Sequence, residues 1–507
     1  MGVAEPGWRL QAGDEWVSRD AFGNTKPADV AASGTPPRQG RTVALCAPRN
    51  GYASLRLWVA GSGEYRLALE LDGRVEADLF RAWYHRLAEP HGGGQPAYWV
   101  DALVPVAWSS PQQLPDPDNA VPGQTHQEFW VDLFVPGDAP VGPAAGRIVL
   151  EWAGGRAALE VALQVLPVTV PPEPTLTCDH NSYGRGPFAS LYPRAFAGCR
   201  DEDQRTRKTI EILHHYYRLC HEHRGLFSNL GAGHDGSCDR IYAPCVRGQG
   251  RTRGLEEWAW FDQHYGPLLD GSALATPSPG MPPPRRPARP LWGVYTPVTP
   301  SWPADYLWWG QPGYEVEFTR CLGQFDQHLR ERGWVHTRPY FFFNHKKRYR
   351  WYEWDGDEPK YGLDDGYVLE MGRLYRAAVG GSPVPWVYRM DASWRMQDHF
   401  ERFAGLVDFW VCGGFAQWYP EEIGRLVERG DTVWTYSGTA GIQSASAALL
   451  ENVLRPWARG LQGHCEWLTI DPGQDPWFAC DGAATGMLYP GDRFGLAGPL
   501  PSIRLKL

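Results

Sequence analysis

Asp357 and Glu358 stand side by side ahead of Pro359 in the segment NHKKRYRWYEWDGDEPKY (344–361), directly after a strand-like apolar run from Tyr340 to Phe343. Like charges held this close push one of the two pKa values upward. A raised carboxyl pKa is what a general acid working near neutral pH requires. The competing reading is that Asp-Glu-Pro merely ends a loop or opens a helix, since acids and proline are both favoured in a first helical turn.

Other reactive or ligand-binding groups recur at the ends of short apolar runs. They are Asp179, His180 and Asn181 after LTC, Asn229 in LFSNL, and Asn344, His345 and Lys346 after TRPYFFF. Arg389 and Asp391 follow in VPWVYRMD, Trp434 and Tyr436 in DTVWTYSG, and Glu466 and Trp467 in HCEWLTI. Singly, each has a structural alternative: Arg389 and Asp391 could orient one another, and the three aromatics could be core packing. Together they read as groups converging on one site. His214, His215, His221 and His223 cluster with Cys220, but their spacing matches neither HExxH nor a zinc-finger pattern, so a packed helix face is expected rather than a metal site.

The elements that must position these groups fall into two blocks. Residues 41–170 alternate apolar and polar over short segments such as SLRLWVA, YRLALEL and ALEVALQVL, separated by Gly and Pro. Period two with turns at this spacing predicts an antiparallel β-sandwich. The stretch PVTVPPEP (167–174) reads as a stiff linker, which divides the chain into domains 1–170 and 171–507. Beyond it, eight strand-like runs alternate with helical ones, as in a (β/α)8 TIM-like barrel. TRPYFFF is the fourth strand. Asn344 to Glu358 then lie on the loop at its C-terminal end, where such barrels place their active sites. The Pro-rich insertion 272–291 before the third strand is expected to be an ordered loop.

Composition narrows the class. The chain has 507 residues with 49 Lys plus Arg against 58 Asp plus Glu, a net charge of −9, and no long basic run, so nucleic acid is not an expected partner. No apolar run approaches membrane-spanning length, and MGVAEPGW lacks the charged and apolar regions of a leader. As written the chain reads as cytoplasmic; a leader removed beforehand would place it outside the cytoplasm. Ten Cys form no CxxC pair, although Cys238 and Cys245 are close enough to bridge across a loop. The 25 Trp are unusual, and a flat apolar face with a polar edge suits surfaces that bind sugars. No cofactor is indicated.

Several segments, in this order, resemble glycoside hydrolase family 123 and its relatives. They are DALVP (101–105), Asn344-His345-Lys346, Asp357-Glu358-Pro359, VYRMDASW (387–394), VCGGF (411–415), VWTYSG (433–438), MLYPG (487–491) and PSIRLK (501–506). The resemblance spans most of the chain and implies a β-sandwich followed by a (β/α)8 barrel, with activity on terminal β-linked N-acetylgalactosamine. It further implies substrate-assisted retention, an exception to the two-carboxylate scheme. Glu358 would protonate the departing oxygen and then serve as base for water. Asp357 would hold the 2-acetamido N–H as its carbonyl oxygen attacks the anomeric carbon. Asn344, His345, Lys346, His180, Asn229, Arg389, Asp391, Trp434, Tyr436 and Trp467 would line the sugar site, His345 standing where the family pattern carries a second Asn. The rival expectations are a β-N-acetylglucosaminidase or other glycosidase with the same machinery, and a catalytically silent carbohydrate-binding protein.

Overall fold

The computed structural model describes residues 7–33, 42–87, 97–360, 362–393, 398–414, 418–470, 475–478 and 486–507. Cys480, and Trp394 and Phe415 of the segments quoted above, lie outside them. The first part of the chain builds two five-stranded sheets. One runs Arg9–Gly13, Gly51–Ala60, His126–Val135, Glu76–Leu87, Ala97–Val106; the other runs Thr42–Arg49, Gly155–Thr169, Gly142–Trp152, Gly63–Leu71, Gln112–Leu114. All pairings are antiparallel except Thr42–Arg49 with Gly155–Thr169, which is parallel. In Gly155–Thr169 the pleat sends Leu159, Val161, Leu163 and Val165 into a cluster with Leu55, Leu57, Phe129 and Val131 of the facing sheet, while Glu160, Ala162 and Gln164 stay exposed.

His126–Val135 does not alternate, because its second face is also covered. Trp130 packs with Phe80 and Ile503, Lys506 Nζ donates to Asp132 at 2.5 Å, and Arg504 pairs with buried Asp101 at 2.7 Å. The chain's last residues therefore lock the barrel against the sheets.

From Thr177 onward eight parallel strands form a nearly closed barrel. In chain order they are Thr177–Tyr183, Leu226–Leu230, Gly293–Tyr295, Arg338–Phe341, Val387–Ala392, Phe409–Cys412, Thr432–Gly438 and Gly463–Trp467. Hydrogen bonding runs unbroken from the second strand through the first, eighth and on down to the third; the second and third strands pack together without a ladder. All eight runs read from the sequence are barrel strands. The third is only three residues long, because Pro297 and the Pro-rich insertion leave few donors around it.

That insertion is ordered. Arg285 pairs with Asp78, its N–H donates to Glu222, and Arg286 donates to the carbonyls of His221 and Pro172. The histidines of helix Glu202–Glu222 and its end go to separate partners: His214 to the His264 carbonyl, His215 to Ser278, His221 to the Pro287 carbonyl and His223 to the Leu219 carbonyl. Cys238 and Cys245 are free thiols.

Candidate active site

Strand four decides which side chains reach the barrel mouth. Tyr340 and Phe342 point inward, towards Arg389 and Tyr295, whereas Phe341 and Phe343 point outward, against Phe318 and Trp354. The alternation continues past the strand end. Asn344 turns inward and its amide donates to the Ala232 carbonyl at 2.6 Å, tying the loop to the one after strand two. His345 turns outward into a box of Phe343, Tyr352 and Trp354 and is wholly buried. Burial pushes its pKa down to about 3, so the ring is neutral. His345, expected as a sugar contact, has its ring packed behind the strand-four loop, and its carbonyl accepts the N–H groups of Gly356 and Asp357 at 3.0 and 3.2 Å.

Gly356 permits this return. A Cβ there would lie 2.4 Å from Phe343 Cβ and 2.5 Å from the His345 ring. Glu358 follows with φ of 56°, a left-handed conformation that costs a non-glycine residue energy and is found mostly where function holds it. Asp364, in the first turn of helix Gly362–Val379, pins both flanks by accepting from the N–H groups of Asp355 and Lys360.

Lys346, next inward after Asn344, places its ammonium 3.0 Å from Asp357 Oδ2 and 3.0 Å from Glu358 Oε2. The two acids nevertheless have opposite environments. Burial lifts the Asp357 carboxyl to about 7, with Asp391 and Glu358 adding to the rise against the pull of Lys346. Burial also acts on Glu358, but hydrogen bonds from Ser393 and Lys346 outweigh it and hold that carboxyl below its ordinary value. One raised pKa was expected of the pair; in the free protein the rise falls on Asp357 and not on the acid the resemblance implied.

Two loops complete the mouth. His234, in the Gly-rich turn after strand two, donates from Nδ1 to the Asn344 carbonyl at 2.7 Å and lies 3.7 Å from Asp357 Oδ2. Its ring stacks on Tyr349 and tilts against Tyr183, which ends strand one. Tyr183 in turn meets Trp467 edge-on at 4.8 Å, and Trp467 meets Tyr436 at 6.4 Å. Asp357 is among the charges that raise the pKa of both tyrosines, which puts the acids and this aromatic wall on one side of the barrel.

The remaining expected residues separate by depth and face. Arg389 sits below the mouth, bonded to Asp391 at 2.7 and 3.0 Å and ringed by Tyr295, Phe342 and Phe409. Trp434 is fully buried against Trp292 and Phe409 and is barrel core. Asp179 also points inward, near Cys465, at the same deep level. The pleat turns His180, Asn229 and Glu466 outward, away from the acids: His180 and Glu466 face a separate cavity, and Asn229 donates to the Gly184 carbonyl. Strand-end position suggested the mouth for these three; the structure places them on the outer face and does not bring them together with the acids. His234, Tyr183 and Ser393 were missed. A histidine in a glycine-rich turn after a strand, and a tyrosine two residues beyond Asn181 on the same face, were the available signals.

No protein-family model matches the chain, and no curated protein sequence matches it. Among solved structures it is similar to a family 123 glycoside hydrolase from Clostridium perfringens, an enzyme of glycolipid glycan hydrolysis, with a TM-score of 0.66 over 99% of this chain and 86% of that one. Sequence identity is 12%, so the likeness is one of fold. A putative alpha-galactosidase from Bacteroides fragilis (10% identity, 83% of this chain and 72% of that one) and a β-glucuronidase from Parabacteroides merdae (9%, 87% and 48%) superpose at TM-scores of only 0.26 and 0.30.

Proposed function

We propose that the protein is an exo-acting retaining glycosidase that releases terminal β-linked N-acetylgalactosamine by substrate assistance. The observation that carries this reading is the adjacent Asp357 and Glu358 at the end of strand four, sharing one ammonium yet held in opposite protonation environments. In it, the acetamido carbonyl supplies the nucleophile, so the protein needs two neighbouring carboxyl groups rather than two on opposite sides of the bond. Glu358 is the acid and later the base; Asp357 holds the acetamido N–H and stabilises the positive charge of the oxazolinium-like intermediate.

The chemistry requires the proton on Glu358 and the charge on Asp357, the reverse of the free protein. Substrate supplies the exchange. An acetamido N–H donated to Asp357 favours its anion, and a glycosidic oxygen accepting from Glu358 favours its acid form. Tyr183, Tyr436 and Trp467 form the wall against which the terminal sugar lies, with Lys346, Arg389 and Asp391 beside or beneath it. The N-terminal sheets, taken as a β-sandwich domain ending near residue 170, buttress the barrel from outside the site.

The test pairs turnover of an aryl β-N-acetylgalactosaminide with that of the corresponding β-galactoside and β-N-acetylglucosaminide. The expected result is rapid hydrolysis of the first, near-inertness of the galactoside, and inhibition by a galacto-configured thiazoline. Equal turnover of both galactosides points to an enzyme nucleophile, Asp179 or Asp391 being the inward-facing choices. Binding without turnover of any of them makes the protein a carbohydrate-binding one.

A further inference from the structure

A cavity of about 520 Å³ lies between the first sheet, helix Glu202–Glu222, the Pro-rich insertion and the C-terminal residues, and neither Asp357 nor Glu358 lines it. Its size is that of a small-molecule pocket, commonly 300–1,000 Å³. The walls are largely apolar: Phe80, Phe134, Met281, Leu449, Leu450 and Leu505 contribute.

The polar part is unbalanced. Arg285 and Lys506 in these walls are matched by Asp78 and Asp132. Arg218, Arg224 and Arg286 make no side-chain ion pair within 4.0 Å among the described residues; Glu222, in the same walls, attracts Arg218 and Arg286 only from farther off. Arg218 donates to Ser278 and the Ala273 carbonyl, and Arg286 to the carbonyls of His221 and Pro172, all neutral acceptors, so Glu222 offsets only part of the positive charge. Nε of Arg218, Nε of Arg286 and Nδ1 of His180 are buried without a partner. Buried polar atoms nearly always have one, so orphans gathered around a single cavity point to a missing ligand. His180 and His215, lowered by burial to about 4, add no charge near neutrality.

We propose that this cavity binds an amphipathic anion, its acid headgroup meeting Arg218, Arg224 and Arg286 and its apolar body lying along Phe80, Met281, Leu449 and Leu450. A long-chain carboxylate has that chemistry. A polyanion does not, because Glu222 and Glu466 share the walls and would repel further negative charge. The site is independent of the proposed glycosidase activity.

Calorimetric titration of the intact protein with dodecanoate, dodecanol and dodecyltrimethylammonium tests it. One equivalent of dodecanoate should bind, with the alcohol and the cation at least about tenfold weaker, the discrimination one charge-assisted contact supplies. The double variant Arg218→Met/Arg286→Met should weaken dodecanoate about tenfold or more, and Leu450→Trp should block it by filling the space. No binding of dodecanoate, or equal binding of dodecanoate and dodecanol, overturns the proposal. The headgroup comparison uses the unaltered protein, so it decides the matter even where a variant does not fold.

Discussion

Glu358 and Asp357 are separated by one peptide bond and by opposite environments, and the expected kinetics follow from both. Glu358→Gln should lower hydrolysis of substrates with poor leaving groups by about two orders of magnitude or more, the usual yield of general acid catalysis. Activated aryl glycosides, which need little protonation, should lose less, and equal small losses on both would remove Glu358 from the acid role. In the free protein the productive form carries one proton on the pair. The pH profile of kcat/KM should therefore be a bell whose basic limb reflects Asp357 near pH 7 and whose acidic limb lies below the ordinary glutamate range. Lys346 lowers the pKa of both acids. Lys346→Met should accordingly shift both limbs to higher pH, by about 1 to 3 units. An unmoved profile would reduce the 3.0 Å contacts to surface pairing of no catalytic weight.

The loop between strand four and helix Gly362–Val379 is the element that aims the acids, and its tolerance is small. Gly356→Ala would set a methyl group against Phe343 and the His345 ring, neither of which can yield, since both are packed on Trp354. The loop must move outward, and a displacement of about 1 Å at a catalytic group can cost about a hundredfold in rate. The expected outcome is a loss of that order in kcat with little change in the thermal unfolding midpoint, because Gly356 lies at the barrel mouth rather than in its core. A fall in stability with kcat retained would assign the glycine to packing alone.

At the scale of the whole molecule, the sheets and barrel are joined by buried charge. Arg504 and Asp101 are almost fully enclosed, and Tyr489 donates a further hydrogen bond to the same carboxylate. Removing one partner strands a buried charge, so Arg504→Met should destabilise the fold by about 3–5 kcal/mol, read from urea unfolding. Burial alone would raise the Asp101 pKa, but Arg504 outweighs it and the carboxyl lies below its ordinary value in the folded protein. A depressed folded pKa means the contribution is present above the unfolded value and lost as pH falls through the folded one. Stability should thus decline below about pH 4, the unfolded aspartate range. Asp101→Asn should flatten that decline.

What the sequence determined is what neighbouring residues decide among themselves. Alternation over SLRLWVA and ALEVALQVL marks half-buried strands, runs such as LFSNL and VPWVYRMD followed by helical stretches mark a parallel barrel, and Asp357-Glu358-Pro359 is visible as a pair. Local periodicity carries these because each burial pattern repeats within a few residues. Which face a strand end presents was decided by tertiary structure. A shift of one residue reverses inside and outside, and His180, Asn229, Glu466 and His345 all fell on the outer side while Asn344, Lys346 and Tyr183 fell on the inner. The joining of His234 to the acids depends on two loops more than a hundred residues apart meeting through the Asn344 carbonyl. The division of protonation between Asp357 and Glu358 came last of all. It is set by burial and by the reach of Lys346 and Ser393, quantities that exist only once the chain has closed around them.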